Sequence, residues 1–134
     1  MWPYDDYDVV LWAVDGGPPI ERSGQSAAEV RALLAAHGPL FVEVHADTPS
    51  LALSDFLVWR NSEGMARVRI DEHREHYGRD PARAALSGEV EGLPDGMGGW
   101  FTIPADDAVT TEQASAALEC WLSDGRQSPS LVWD

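Results

Sequence analysis

Two segments of this chain carry both a helix start signal and a helix stop signal, and the rest is divided into short runs punctuated by turn residues. Ser26 with Glu29 three residues on is a capping box, in which the hydroxyl accepts from an orphan backbone N–H and the carboxylate reaches back to the cap. Val30, Leu33, Leu34 and His37 recur on one face, and Gly38-Pro39 supplies a left-handed stop followed by a breaker. The spacing predicts a helix over 27–37. The second helix starts at Thr110 or Thr111, with Gln113 at capping-box distance from Thr110. Ala114, Ala117, Leu118, Trp121 and Leu122 form its core-facing stripe, and Gly125 ends it.

Between and around these helices, β-branched and aromatic runs alternate with turn chemistry, which is the pattern of strands. Residues 7–14 read as one, closed by Asp15-Gly16-Gly17-Pro18-Pro19. In 40–46, Leu40, Val42, Val44 and Ala46 take one side and Phe41, Glu43 and His45 the other. Residues 56–60 and 65–71 form a hairpin across Asn61-Ser62-Glu63-Gly64, with Arg67 and Arg69 on its wet face. Residues 82–88, 100–103 and 131–133 are further strand candidates, and 89–99, with Pro94, four glycines and three acids, reads as a surface loop. Strands in this order, mostly with tight links, predict an α+β fold: a mainly antiparallel sheet with two helices packed on one face, in a single domain over 1–134.

Charge narrows the class of partner. The chain has 134 residues, 23 Asp and Glu against 9 basic residues, all of them Arg, and a formal net charge of -14. From residue 84 to 125 there is no Arg, Lys or His, yet Glu89, Glu91, Asp95, Asp106, Asp107, Glu112, Glu119 and Asp124 fall there. Asp5, Asp6, Asp8, Asp15 and Glu21 are likewise unopposed, whereas 60–83 is close to neutral. Such a field repels nucleic acid and anionic membrane and favours encounter with a basic protein. High net charge also serves solubility alone, the commoner role. The 44% hydrophobic content and six Trp are those of a globular chain, not of a disordered acidic tail. One cysteine, Cys120, excludes an internal disulfide and fits a reducing compartment. With no membrane-length apolar run and no signal-peptide start, the expected location is the cytoplasm.

The chemistry-bearing motifs are sparse. His73 and His76 stand at i, i+3, where zinc proteases need i, i+4, and a third ligand has to come from His45, Cys120 or a distant carboxylate. A solvated charged turn is the default for that segment, and no metal or cofactor is expected. Gly24-Gln25-Ser26 lacks the strand that delivers a nucleophile elbow, so Ser26 is read as a cap. The glycines at 96, 98 and 99 form a nest for an anion only against the surrounding acid. A zinc nucleobase deaminase needs more than one Cys. Glu89 and Glu91 project from one side of an extended segment, and since acid pairs can hydrolyse glycosides a small hydrolase is left as an alternative, using that acid pair or the His73 and His76 cluster. Trp12, Trp59, Trp121 and Trp133 are assigned to the core. Trp100 is left between core and interface anchor, with Met97 in reach, because Trp and Met are enriched at binding hot spots.

The C-terminal third carries a pattern: Phe101-Thr102-Ile103-Pro104, a polar gap, a helix through Ala114, Ala117, Leu118 and Leu122, then Gly125-Arg126 and Pro129-Ser130-Leu131-Val132-Trp133. It resembles the ending of the first immunity-protein family of bacterial polymorphic toxin systems. A first strand, a helix at 26–37 and a hairpin agree with that outline, while Gln127-Ser128 are extra and 71–99 follows none of it. The resemblance implies a non-enzymatic α+β protein that binds and neutralises a co-encoded toxin, often one directed at nucleic acid, such as a deaminase or nuclease. A toxin that grips phosphates needs a basic groove, and an acidic inhibitor fits it. The expected contact residues are Glu89, Glu91, Asp95, Met97, Trp100, Asp106 and Asp107. An acidic adaptor or DNA mimic that binds a host nucleic-acid protein is the other alternative.

Overall fold

Ten strands and two helices make up the fold in a computed structural model that describes residues 6–12, 18–38, 40–46, 54–94 and 99–134. The strands are β1 (Tyr7–Trp12), β2 (Ile20–Gln25), β3 (Phe41–Ala46), β4 (Ser54–Arg60), β5 (Met65–Glu72), β6 (Arg74–Arg79), β7 (Glu89–Pro94), β8 (Trp100–Pro104), β9 (Val109–Thr110) and β10 (Val132–Trp133). The helices are α1 (Ala27–His37) and α2 (Thr111–Asp124). The main sheet runs β10-β6-β5-β4-β3-β1-β2, with β9 beside β5, and every described pairing is antiparallel. β2 and β3 both oppose β1, so they are parallel to each other and need a crossover, which α1 provides. The architecture is the expected α+β one, a mainly antiparallel sheet with both helices on one face.

Both helices have the limits their caps dictate. Ser26 Oγ accepts from the Glu29 N–H at 3.1 Å and Glu29 Oε1 accepts from the Ser26 N–H at 3.0 Å. Thr110 and Gln113 repeat the exchange at 3.1 and 2.8 Å. Gln113 also donates to Asp80 at 2.8 Å, tying the start of α2 to the turn after β6 and holding the Asp80 carboxyl below its usual range. Gly38 and Gly125 close the helices in the left-handed region that glycine adopts without strain. Arg31 of α1 meets Glu119 of α2 at 2.7 Å.

The core lies between the helices and one side of the sheet. Tyr7, Val9, Leu11, Val42, Val44, Phe56, Val58, Val68 and Ile70 face Val30, Ala117, Leu118, Trp121 and Leu122. Trp121 is fully buried against Tyr7 and Phe56, and its indole N–H donates to Ser54 Oγ at 3.0 Å. Ser54 passes the bond on to Glu72 at 3.0 Å, so the one polar atom of the ring is satisfied inside the core.

Four local expectations are corrected. Residues 82–88 form no strand: Pro81–Arg83 is a single 3-10 turn, capped by Asp80 accepting from the Ala82 N–H. The described part of the expected 89–99 loop is largely strand, because Glu89–Pro94 pairs with Trp100–Pro104 as a two-stranded ribbon. The segment with His73 and His76 is an exposed charged turn only around His73 and runs on into a strand. It is the tight β5–β6 connection and strand β6, with His73 alone at positive φ (63°) among the described non-glycine residues. The segment before Ser26, read as lacking a strand that delivers a nucleophile elbow, is the edge strand β2, Ile20–Gln25. The expected first strand is described only to Trp12, and the Asp15 to Gly17 turn lies outside the described residues.

Candidate protein-binding surface

The side of the sheet away from the helices is partly roofed by the β7–β8 ribbon, and the surface proposed for partner contact is built from these two parts. Val90, Leu93 and Ile103 point down from the ribbon and form a second small core with Ala108, against which Trp59, Met65 and Phe101 pack. Val90 and Leu93 are three residues apart, which regular alternation does not allow on one face. The register shifts between them, with Gly92 at φ +76°, so a bulge puts both inward. Asn61, in the β4–β5 turn, then pins the ribbon: its side-chain amide donates to the Glu91 carbonyl at 2.9 Å.

This geometry sends Glu89, Glu91 and Trp100 to the solvent side of the ribbon. Glu89 pairs with Pro104, which alternates with Thr102 and Trp100 on that side. Trp100 is 64% exposed, far beyond what a core tryptophan shows, and both glutamates are exposed. No described cation lies within ion-pair distance of either glutamate. Three of the seven residues read from the sequence therefore share the solvent side of the ribbon, with Glu89 and Trp100 at its opposite ends. Asp107 is placed otherwise: it pairs with Arg79 at 3.1 Å, and Arg79 also reaches Asp134 at 3.2 Å, so its charge is spent within the chain. Asp106 is half-buried beside Arg79, Asp80, Pro81, Ala84 and Val132. Asp95 and Met97 lie outside the described residues.

The rest of that sheet face carries groups that the strand pattern alone left unassigned. A chain of rings runs Trp12, Phe41, Trp59, Phe101 at centroid spacings of 5.0, 5.7 and 6.1 Å, joining the sheet to the ribbon. Cross-strand register aligns Asp8, His45, Asp55, Asp71 and Glu75 in one row over five strands. His45 sits between two carboxylates, with Nδ1 2.8 Å from Asp55 and Nε2 3.2 Å from Glu43. Those two bonds push its pKa up to about 10, so both ring nitrogens carry protons at neutral pH. Arg69 bridges Asp71 at 2.8 Å and Glu75 at 3.4 Å and lies over the rings of Trp59 and Tyr77. The signal in the sequence was polar residues at the positions of β3 and β5 that face away from the helices.

The acid pair and the His73 and His76 cluster, each named for a hydrolytic alternative, lie toward opposite ends of β5. Glu91 is held at the Met65 end of β5 and His73 caps the other end of that eight-residue strand, roughly 25 Å away at 3.3 Å per residue. His76 Nδ1 is 2.7 Å from the Asp134 carbonyl oxygen, its role set by the tautomer. Among the described residues no group of three or more His, Cys, Asp or Glu is arranged to hold a metal, and no helix is long and apolar enough to cross a membrane. No protein-family model, no curated protein and no solved structure matches this chain.

Proposed function

We propose that this chain is a non-catalytic inhibitor of the immunity type, which binds a cognate basic toxin directed at nucleic acid and covers its active-site groove. The observation that carries the reading is the solvent side of the ribbon, where two unopposed glutamates stand on the same surface as a tryptophan exposed to 64%. A partner that grips phosphates has a groove lined with Arg and Lys. Glu89 and Glu91 supply charge-assisted hydrogen bonds to those cations, and Trp100 fills an apolar pocket beside them. The net charge of -14 accelerates encounter in a salt-sensitive way, while the desolvated anchor sets the dissociation rate. Binding takes place in the cytoplasm, where such a toxin acts, and involves neither nucleic acid nor membrane directly.

The test identifies the reading frames adjacent to this gene and co-expresses this chain with each deaminase or nuclease toxin domain found among them. Restored growth together with a complex that survives purification is the expected result. Unrelieved toxicity with no complex overturns the reading.

A further inference from the structure

Arg67 differs from the other arginines of the same sheet face. Arg69 has Asp71 and Glu75, and Arg79 has Asp107 and Asp134. Arg67 stacks on the Tyr77 ring with its guanidinium carbon 4.0 Å from the centroid, opposite Trp59 in the β4–β5 register. It has no ion pair among the described residues, and its Nε is covered and without an acceptor. In a chain with 23 acidic side chains, an Arg held half-buried without one is an open valence.

We infer that Arg67, stacked on Tyr77, is a socket for a single carboxylate presented by the partner protein. The inference rests on the reading of this side of the molecule as a protein contact. The stacked guanidinium is fixed in plane, and its N–H fork matches a carboxylate. A dianionic phosphate meets the nearby Asp71 and Glu75 and the overall negative field, which penalise two charges more than one. The socket borders the ribbon, because Trp59 touches Phe101. A partner seated on Glu89, Glu91 and Trp100 thus meets one inverted charge at its rim, and such an inversion fixes register more than it adds affinity.

The test needs no toxin, so its failure is separable from failure of the growth assay. The protein, labelled with ¹⁵N in arginine, is titrated with sodium acetate at constant ionic strength set by sodium chloride, and in parallel with inorganic phosphate. The expected result is a saturating shift of the Arg67 Nε–Hε signal and of the Tyr77 ring signals with acetate, beside a linear drift of exposed Arg126. Arg67→Met abolishes the Tyr77 response. Arg67→Lys, which keeps the charge and supports folding if the Met variant does not fold, weakens it about tenfold, the equivalent of one charge-assisted hydrogen bond. A drift of Arg67 no different from that of Arg126, a Tyr77 response that survives Arg67→Met, or phosphate saturating below acetate each overturns the assignment.

Discussion

The Asn61 side chain donates to the backbone carbonyl of Glu91 at 2.9 Å, while its Oδ1 accepts from the N–H groups of Glu63 and Met65 at 2.9 and 3.0 Å. One 7% exposed amide thus shapes the β4–β5 turn and fastens the ribbon that displays Glu89, Glu91 and Trp100. Stability and display are coupled through this residue.

Asn61→Leu removes all three bonds and leaves their backbone partners partly buried and unpaired. The expected loss is about 1–3 kcal/mol, with faster hydrogen exchange in β7 than in β1 or β3. Thermal unfolding and exchange mass spectrometry check both parts. Unchanged protection of β7 contradicts the pinning role.

Trp121→Ala empties the centre of the core between Tyr7 and Phe56 and leaves Ser54 Oγ with its bond to Glu72 but without its indole donor. The expected cost is about 3–5 kcal/mol, read from urea unfolding at 25 °C.

Gly78→Ala tests the closing strand. A Cβ there meets Val68 Cγ2 at 2.8 Å, Trp133 Cη2 at 2.9 Å and Leu131 Cδ1 at 3.1 Å, and β-branched Val68 in the core has little room to turn aside. Overpacking of this kind costs about 1–3 kcal/mol and is expected to loosen β10, visible as a changed Trp133 fluorescence.

His45 makes stability depend on pH in the alkaline range. Its pKa is raised from about 6.5 to about 10 by Asp55 and Glu43, so the folded state binds this proton more tightly than the unfolded state. The contribution is fully present below pH 6.5 and disappears as the pH rises through 10. The stability difference between the native chain and His45→Gln, measured by urea unfolding, is therefore expected to shrink steadily from pH 6.5 to 10. A difference that is flat over that window refutes the clamp.

Glu89→Arg with Glu91→Arg leaves folding nearly intact, because both side chains are exposed and outside the small core under the ribbon. Association with the toxin is expected to slow and to lose much of its salt dependence, whereas Trp100→Ala mainly speeds dissociation. Surface plasmon resonance at two salt concentrations separates the two effects.

Much of the frame was legible in the chain because the interactions that set it are local. The capping boxes at Ser26 and Thr110 join atoms three residues apart, and Gly38 and Gly125 stop their helices by their own backbone freedom. The hairpin of β4 and β5 follows from alternation on either side of the Asn61 turn. Strand β6 was not legible: Arg-Glu-His-Tyr-Gly-Arg shows no apolar alternation, since its inward position near β10 is Gly78, where the missing side chain admits Val68, Leu131 and Trp133. Of the ribbon, β8 was legible at 100–103 but β7 was hidden for a related reason, as the bulge at Gly92 places Val90 and Leu93 on one face and breaks the period that marks a strand.

The sequence by itself determined two capped helices, a central hairpin, a mainly antiparallel α+β frame and a concentration of acid without a basic residue over 84–125. Only the tertiary structure decided which acids stay unopposed. Asp107 meets Arg79 from 28 positions away and His45 is clamped across strands by Asp55, while Glu89 and Glu91 face solvent and Arg67 stacks on Tyr77 with no ion pair among the described residues. Charge is a property of each residue, but its neutralisation depends on which distant residue the sheet register brings within 4 Å, and register is fixed by packing over the whole chain.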